Sequence, residues 1–201
     1  MAQELGRRLG APVEFTVASS SGELTDALSA GALDAAFMPP DEERKKRLDF
    51  GTLYAVGQNT YLVTDGSRIR AIGDVDRPGT RVIGIAGTAT IRTATRLLKN
   101  TKIMPVNSVD DALEMLRTDR ADAFALTRDS LAPLVPRVPG ALVLDGSFNR
   151  IGVAIAIPKN RPNALSYVTA FVEDAKASGI VRRAFDNAGL KDIEVAKPGE
   201  R

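Results

Sequence analysis

Few residues in this sequence are equipped for chemistry, and those that are suit recognition of charge better than bond-making. Of 201 residues, none is histidine and none is cysteine. Thiol catalysis, imidazole acid–base chemistry, serine–histidine triads and nearly every zinc site are excluded by that fact alone. The densest cationic run is Arg44-Lys45-Lys46-Arg47, which directly follows Asp41, Glu42 and Glu43. A run of this kind can touch phosphates, yet no aromatics interleave it, and a solvated short helix explains it equally well. Nucleic acid is therefore not an expected partner. A second place of interest is Gly87-Thr88, where a strand-like stretch gives way to a helix with Ile91, Ala94, Thr95 and Leu98 on one face.

These residues need elements to hold them, and the pattern alternates helix and strand. Ala2 to Leu9 reads as a helix stopped by Gly10. Pro12 to Ala18 alternates apolar and polar, with Val13, Phe15 and Val17 facing one way, which predicts a strand. Ser20 and Glu23 have capping-box spacing ahead of a helix carrying Leu24, Ala27 and Leu28, and residues 34–38 follow as a short buried strand. A second series comprises a strand over 81–86, the Gly87-Thr88 helix and a strand over 102–106. It continues with a helix capped by Ser108 and a buried strand over 122–126. Strands over 141–144 and 150–157 and helices over 162–178 and 180–188 close the chain. Such alternation predicts an α/β architecture with largely parallel sheets. Thr25-Asp-Ala-Leu28 before 33–37 echoes Asp110-Asp-Ala-Leu113 before 121–124, as though two lobes shared one plan. Chance recurrence of a common helix start is the competing explanation.

Composition sets the frame. The chain is 44% hydrophobic and 26% charged with a formal net charge of +2, as in ordinary globular proteins. No apolar run approaches the ~18 residues of a membrane span, so a soluble protein is expected. The absence of cysteine fits an oxidising compartment. The opening residues Met-Ala-Gln-Glu-Leu-Gly-Arg-Arg have no apolar core, so no signal peptide is expected in them.

Several stretches, in order, resemble the type II periplasmic solute-binding proteins of ABC importers, specifically the family 3 group of polar amino-acid receptors. They are Leu33-Asp-Ala-Ala-Phe-Met-Pro-Pro-Asp-Glu-Glu-Arg44, the continuation through Asp49-Phe50 to Leu53-Tyr54, Tyr61-Leu-Val-Thr64, Ser67 to Pro78, and Val82 to Thr88. The resemblance runs over essentially the whole chain. It implies a two-lobed α/β fold of mixed, mostly parallel sheets with a cleft between lobes. Residues 1–64 and 151–201 would form lobe 1, residues 65–150 lobe 2, with crossings near Tyr61–Gly66 and Asp145–Gly152. It further implies a substrate-binding protein located in the periplasm, without cofactor, metal or catalytic residues, whose partners are a small anionic or zwitterionic ligand and a membrane permease.

The resemblance also implies roles for particular residues. Arg44 stands where the family keeps an arginine for the ligand carboxylate, a pairing that can be bidentate, although a surface arginine beside Lys45 and Lys46 would look the same. Gly87, Thr88 and Ala89 match the helix start whose backbone N–H groups grip an anion, while Thr88 could equally serve as an ordinary cap. Phe37 and Met38 border the expected cleft or belong to the core. Three departures bear on the ligand. Where the amino-acid receptors place an acid for the ammonium group, this chain has Thr127 followed by Arg128, with Asp129 able to substitute after a local shift. An anionic solute is thus favoured over an ordinary α-amino acid. Met38-Pro39-Pro40 replaces a polar loop and removes two backbone donors. The family's first strand has no counterpart ahead of Ala2, so the expectation is either a truncated chain or a gap filled by sheet rearrangement or a partner chain. A monomer is expected, or a dimer if the partner supplies that strand. Two alternatives share the fold: an enzyme resembling the cyclohexadienyl dehydratases, and a sensory or effector-binding domain.

Overall fold

The computed structural model describes residues 1–190 and 193–201. In chain order the elements are α1 (Ala2–Leu9), α2 (Ser21–Ser29), β1 (Ala36–Met38), α3 (Glu42–Arg47), β2 (Leu48–Thr64), β3 (Val82–Ile85), α4 (Ala89–Leu97) and β4 (Ile103–Val106). There follow α5 (Val109–Arg117), β5 (Ala123–Thr127), α6 (Arg128–Leu131), β6 (Ala141–Val143), β7 (Asn149–Pro158), α7 (Pro162–Ala177), α8 (Ile180–Asn187) and β8 (Glu194–Val195). Two compact units separate. Unit 1 comprises Met1–Ala18, Leu24–Val56 and Gly152–Arg201; unit 2 comprises Ser19–Glu23 and Gly57–Ile151.

Unit 1 is built on β1 and β7, which pair antiparallel with Ala36 opposite Ala156, and on β8 against Ala55 and Val56 of β2. Helix α7 buries Val168, Phe171, Val172 and Ala175, an i, i+3, i+4, i+7 stripe, against Tyr54, Ile155 and Ile157. Gly152 is required where β7 passes β2, since a Cβ there would lie 2.3 Å from Leu53 Cδ1. Helix α1 ends on Gly10 in the left-handed region (φ 65°). It is tied down by Arg8, which pairs with Glu4 and with Asp174 at 2.6 Å and lies over the Phe171 ring. Arg7 and Arg8 hold the Glu4 carboxyl down at about 2.

One expected strand is absent. Pro12–Ala18 has no ladder partner among the described residues, and Phe15 is 66% and Val17 94% exposed. Alternation makes a strand only where a neighbouring edge accepts its hydrogen bonds. Here only Val13 finds a place, packed on the bare face of Gly6, where a Cβ would meet its Cγ2 at 2.2 Å.

In unit 2, β3 pairs parallel with β4 on one side and with β5 on the other. All four residues of β3, Val82-Ile-Gly-Ile85, are buried, as a central parallel strand should be. Parallel pairing, which the alternation predicts throughout, is confined among the described pairs to these two. The long strand β2 meets β5 antiparallel, Asn59 opposite Thr127 and Val63 opposite Ala123, and it meets β6 antiparallel as well. One face of the sheet packs Leu62, Ile83, Ile85 and Phe124 under Leu113 and Leu116 of α5. The other packs Tyr61, Val63, Val82 and Ala125 with Leu144. Both halves of the sequence echo are indeed a helix followed by a strand: α2 then β1, and α5 then β5.

The entries of β3 and β5 are locked by one ion pair. Asp122 accepts from Arg81 N–H at 2.7 Å, from its Nε at 3.0 Å and, through the other oxygen, from Nη2 at 2.6 Å. These bonds from Arg81 hold the Asp122 carboxyl below its ordinary range against the opposing pull of burial. A depressed folded-state value means that the stabilisation is complete above the unfolded pKa, about 3.9, and is lost as pH falls through the folded value. We predict that Asp122→Asn lowers stability at pH 7 by about 1–2 kcal/mol, as charge-assisted bonds at a half-exposed site should. The deficit, read from urea midpoints, should shrink progressively below pH 4. A constant deficit across that range would remove the ion pair from the explanation.

Candidate functional site

Strand β3 leads into the turn before α4, where Thr88, Ala89 and Thr90 are all buried. Gly87 occupies the left-handed region at φ +70°, and a Cβ there would sit 3.2 Å from Gly22 Cα, so both conformation and space call for glycine. Thr88 then caps the helix: its Oγ1 accepts from Ile91 N–H at 3.2 Å and donates to the Ile85 carbonyl at 2.8 Å. The next two backbone N–H groups, those of Ala89 and Thr90, have no acceptor among the described residues. No acidic residue stands in the first turn of α4. Helix α5 differs, carrying Asp110 and Asp111 there, and α3 carries Glu42 and Glu43. The positive end of α4 is therefore neutralised by nothing in its own first turn.

Asn59, on β2, completes this corner. It is 0% exposed, and its Oδ1 accepts from Thr90 Oγ1 at 3.0 Å, which sets the carboxamide against the first turn of α4. Its Nδ2 has no hydrogen-bond partner. Because β2 and β5 pair with Asn59 opposite Thr127, both side chains stand on the same face of the sheet. The Thr127 hydroxyl bonds to Ser130 Oγ at 2.8 Å. Two residues back along β2 on that same face is Gly57, and a Cβ there would lie 3.8 Å from Asp129 Oδ1. No hydrogen bond or ion pair of the half-buried Asp129 carboxylate is found among the described residues. Donors at the start of α4 and an acid over Gly57 thus share one side of unit 2.

The other residues singled out in the sequence have visible local duties. The Arg128 guanidinium donates to the carbonyls of Leu144 at 2.9 Å and Gly146 at 2.6 Å and to Gln58 Oε1 at 3.3 Å, bracing the loop after β6. In unit 1, Arg44 is only 2% exposed, unlike Lys45 and Lys46 beside it. Its Nη1 donates to the Pro39 carbonyl at 2.8 Å, and its Nε lies 3.6 Å from Asp41 Oδ2, so it spans the turn made by the two prolines. Met38 is core, packed with Leu28, Leu48 and Ala156 and bonded through sulfur to Thr25 Oγ1. Phe37 is half-buried with its ring edge-on to Tyr54, centroids 5.9 Å apart. Sequence reading missed Asn59. The available signal was the pair Gln58-Asn59, two amides in a run from Tyr54 to Val63 that carries no charge.

The model of the family described as bacterial extracellular solute-binding proteins, family 3, matches residues 1–188. A curated glutamine-binding protein of Geobacillus stearothermophilus is 24% identical over 144 residues, covering 71% of this chain and 55% of that protein. The chain thus spans little more than half the length of that relative. Among solved structures, an amino-acid ABC transporter substrate-binding protein of Streptococcus pneumoniae bound to L-arginine superposes with a TM-score of 0.81. That match has 21% identity and covers 96% of this chain and 83% of that one. An ancestral amino-acid-binding protein, described as a precursor of cyclohexadienyl dehydratase, gives a TM-score of 0.79 at 26% identity. It covers 92% of this chain and 82% of its own.

The turn into α4 makes a prediction of its own. Thr88→Ala removes both hydroxyl bonds and should cost about 1 kcal/mol in thermal unfolding, whereas Thr88→Ser should be close to neutral. If Thr88→Ser is as damaging as Thr88→Ala, the methyl group and not the cap holds the turn.

Proposed function

The chain belongs to the bacterial extracellular solute-binding proteins of family 3, and from that premise we propose that it is the solute-binding component of an ABC importer. In this reading it takes up a small zwitterionic solute outside the cytoplasm and presents it to a membrane permease. The observation that carries the reading is the unpartnered start of α4. Two unpartnered backbone N–H groups, a glycine turn and a first turn without acids make a place for a carboxylate. The unpartnered Asp129 carboxylate supplies the opposite charge and favours a zwitterion over a dianion. The Ala89 and Thr90 amides, behind the turn at Gly87 and Thr88, then take the solute carboxylate, and Asp129 takes the ammonium group in place of Thr127. Arg128 acts by fixing the loop at Leu144–Gly146. The named relatives bind glutamine and arginine, which makes amino acids the first solutes to try.

Binding without turnover is the expected mode. A dehydratase on this fold would need an acid where Thr127 stands, and that hydroxyl is bonded to Ser130. The test is a melting-temperature panel on the full chain with L-glutamine, L-arginine, L-lysine and their methyl esters. An amino acid at a hundred times its Kd should add about 2.7 kcal/mol of stability, and its ester should add almost none. Asp129→Asn should abolish the preference for the amino acid over the matching 2-hydroxy acid. The reading is lost if no amino acid stabilises the chain, or if the ester works as well as the free acid.

A further inference from the structure

The amide of Asn59 has an arrangement in this corner that local folding does not explain. Its Oδ1 is used, holding Thr90 at the second position of α4, but Nδ2 is buried with no acceptor. A donor left unpaired in a dry interior is costly, and buried groups are nearly always satisfied. A leucine or valine at this position would fill space on β2 without that cost. The carboxamide lies against the helix start where the Ala89 and Thr90 N–H groups are also unpartnered. Its opposite neighbour on β5, Thr127, already spends its hydroxyl on Ser130. Three donors without acceptors therefore gather at one place: two from the backbone and one from a side chain.

We propose that Asn59 is a ligand-recognising residue whose Nδ2–H donates to an oxygen of the solute's carboxylate, alongside the Ala89 and Thr90 amides. The assignment rests on the carboxylate-binding role given above to the start of α4. Burial keeps water from competing for this donor, so only a small, strong acceptor that can shed its hydration satisfies it. A carboxylate oxygen accepts this N–H more strongly than an ester carbonyl does, and an ammonium group cannot accept it. Asn59 thereby makes the site selective for the ionised acid, a task that a helix end alone performs weakly.

Two substitutions separate this role from a structural one. Asn59→Ala removes the free donor together with the bond to Thr90, whereas Asn59→Asp keeps an acceptor for Thr90 and removes only the donor. Calorimetric titration of the full chain with L-glutamine, L-arginine and L-lysine should show the best-bound of the three weakened about tenfold or more by Asn59→Ala. Asn59→Asp should weaken it at least as much. Unimpaired binding by Asn59→Asp, or no loss in Asn59→Ala, overturns the assignment while leaving the binding function standing. Failure of the unmodified chain to bind any of the three overturns both. Should Asn59→Ala not fold, the side-chain amide resonances of Asn59 in the 15N-labelled protein give the answer. They should shift on saturation with the best-bound amino acid, and unmoved resonances refute the proposal.

Discussion

Strand β2 must find hydrogen-bond partners along 17 residues, and much of the fold follows from how it does so. An unpaired backbone group in an apolar interior is too costly to keep. Ala55 and Val56 are met by β8, Asn59 to Val63 by β5, and Leu62 to Thr64 by β6. The pairing with β5 is antiparallel, while β5 itself is parallel to β3, so the sheet of unit 2 is obliged to be mixed. Register then does the rest. A slip of one residue would turn Tyr61 and Val63 to the α5 side and expel Leu62 from its core. The same register sets Asn59 opposite Thr127, on the face where α4 begins. The composition of the candidate site is thus decided by backbone pairing before any side chain makes a contact.

What the sequence made legible divides along the same physical line. Elements whose signal is local were read to within a few residues: α4 behind Gly87-Thr88, α5 behind Ser108, and α7 opening at Pro162. The capping box at Ser20–Glu23 was read, although Glu23 reaches back to Ser19 N–H at 3.0 Å and not to Ser20. Elements that depend on a partner far along the chain were harder. Pro12–Ala18 has the alternation of a strand and no edge to join. β2 has the right residues, yet nothing local announces a single strand from Leu48 to Thr64. Arg44 illustrates the same limit within a site. Its place in a basic run argues for a solvated face, and only the turn at Pro39-Pro40, folding back over the helix, explains why one cation of the four is buried.

Not every helix start is a place for an anion, and the contrast within this chain shows what makes the difference. Helices α3 and α5 have acidic side chains in the first turn, and in α3 Asp41 also caps the N–H groups of Glu43 and Arg44. Their positive ends are consumed internally. The α4 start has a neutral cap, no acid, and a glycine turn that keeps side chains away from its free N–H groups. Selection for folding stability alone would have placed Asp or Glu there, since each contributes about 0.3–1 kcal/mol at such a position.

The same reasoning applies more sharply to the buried amide beside it. A helix start without an acid forgoes stabilisation, but an unpaired buried donor carries a direct cost, and the two lie within one hydrogen bond of each other. Costs of that kind persist where something that binds the folded state offsets them. Both deficits here are of donors, and a carboxylate, with two oxygens that accept several hydrogen bonds, is the small group best matched to both. The stability that this corner lacks in the free chain is then the affinity it can offer. The selectivity of the site is set by which groups the fold leaves unsatisfied as much as by those it places in contact.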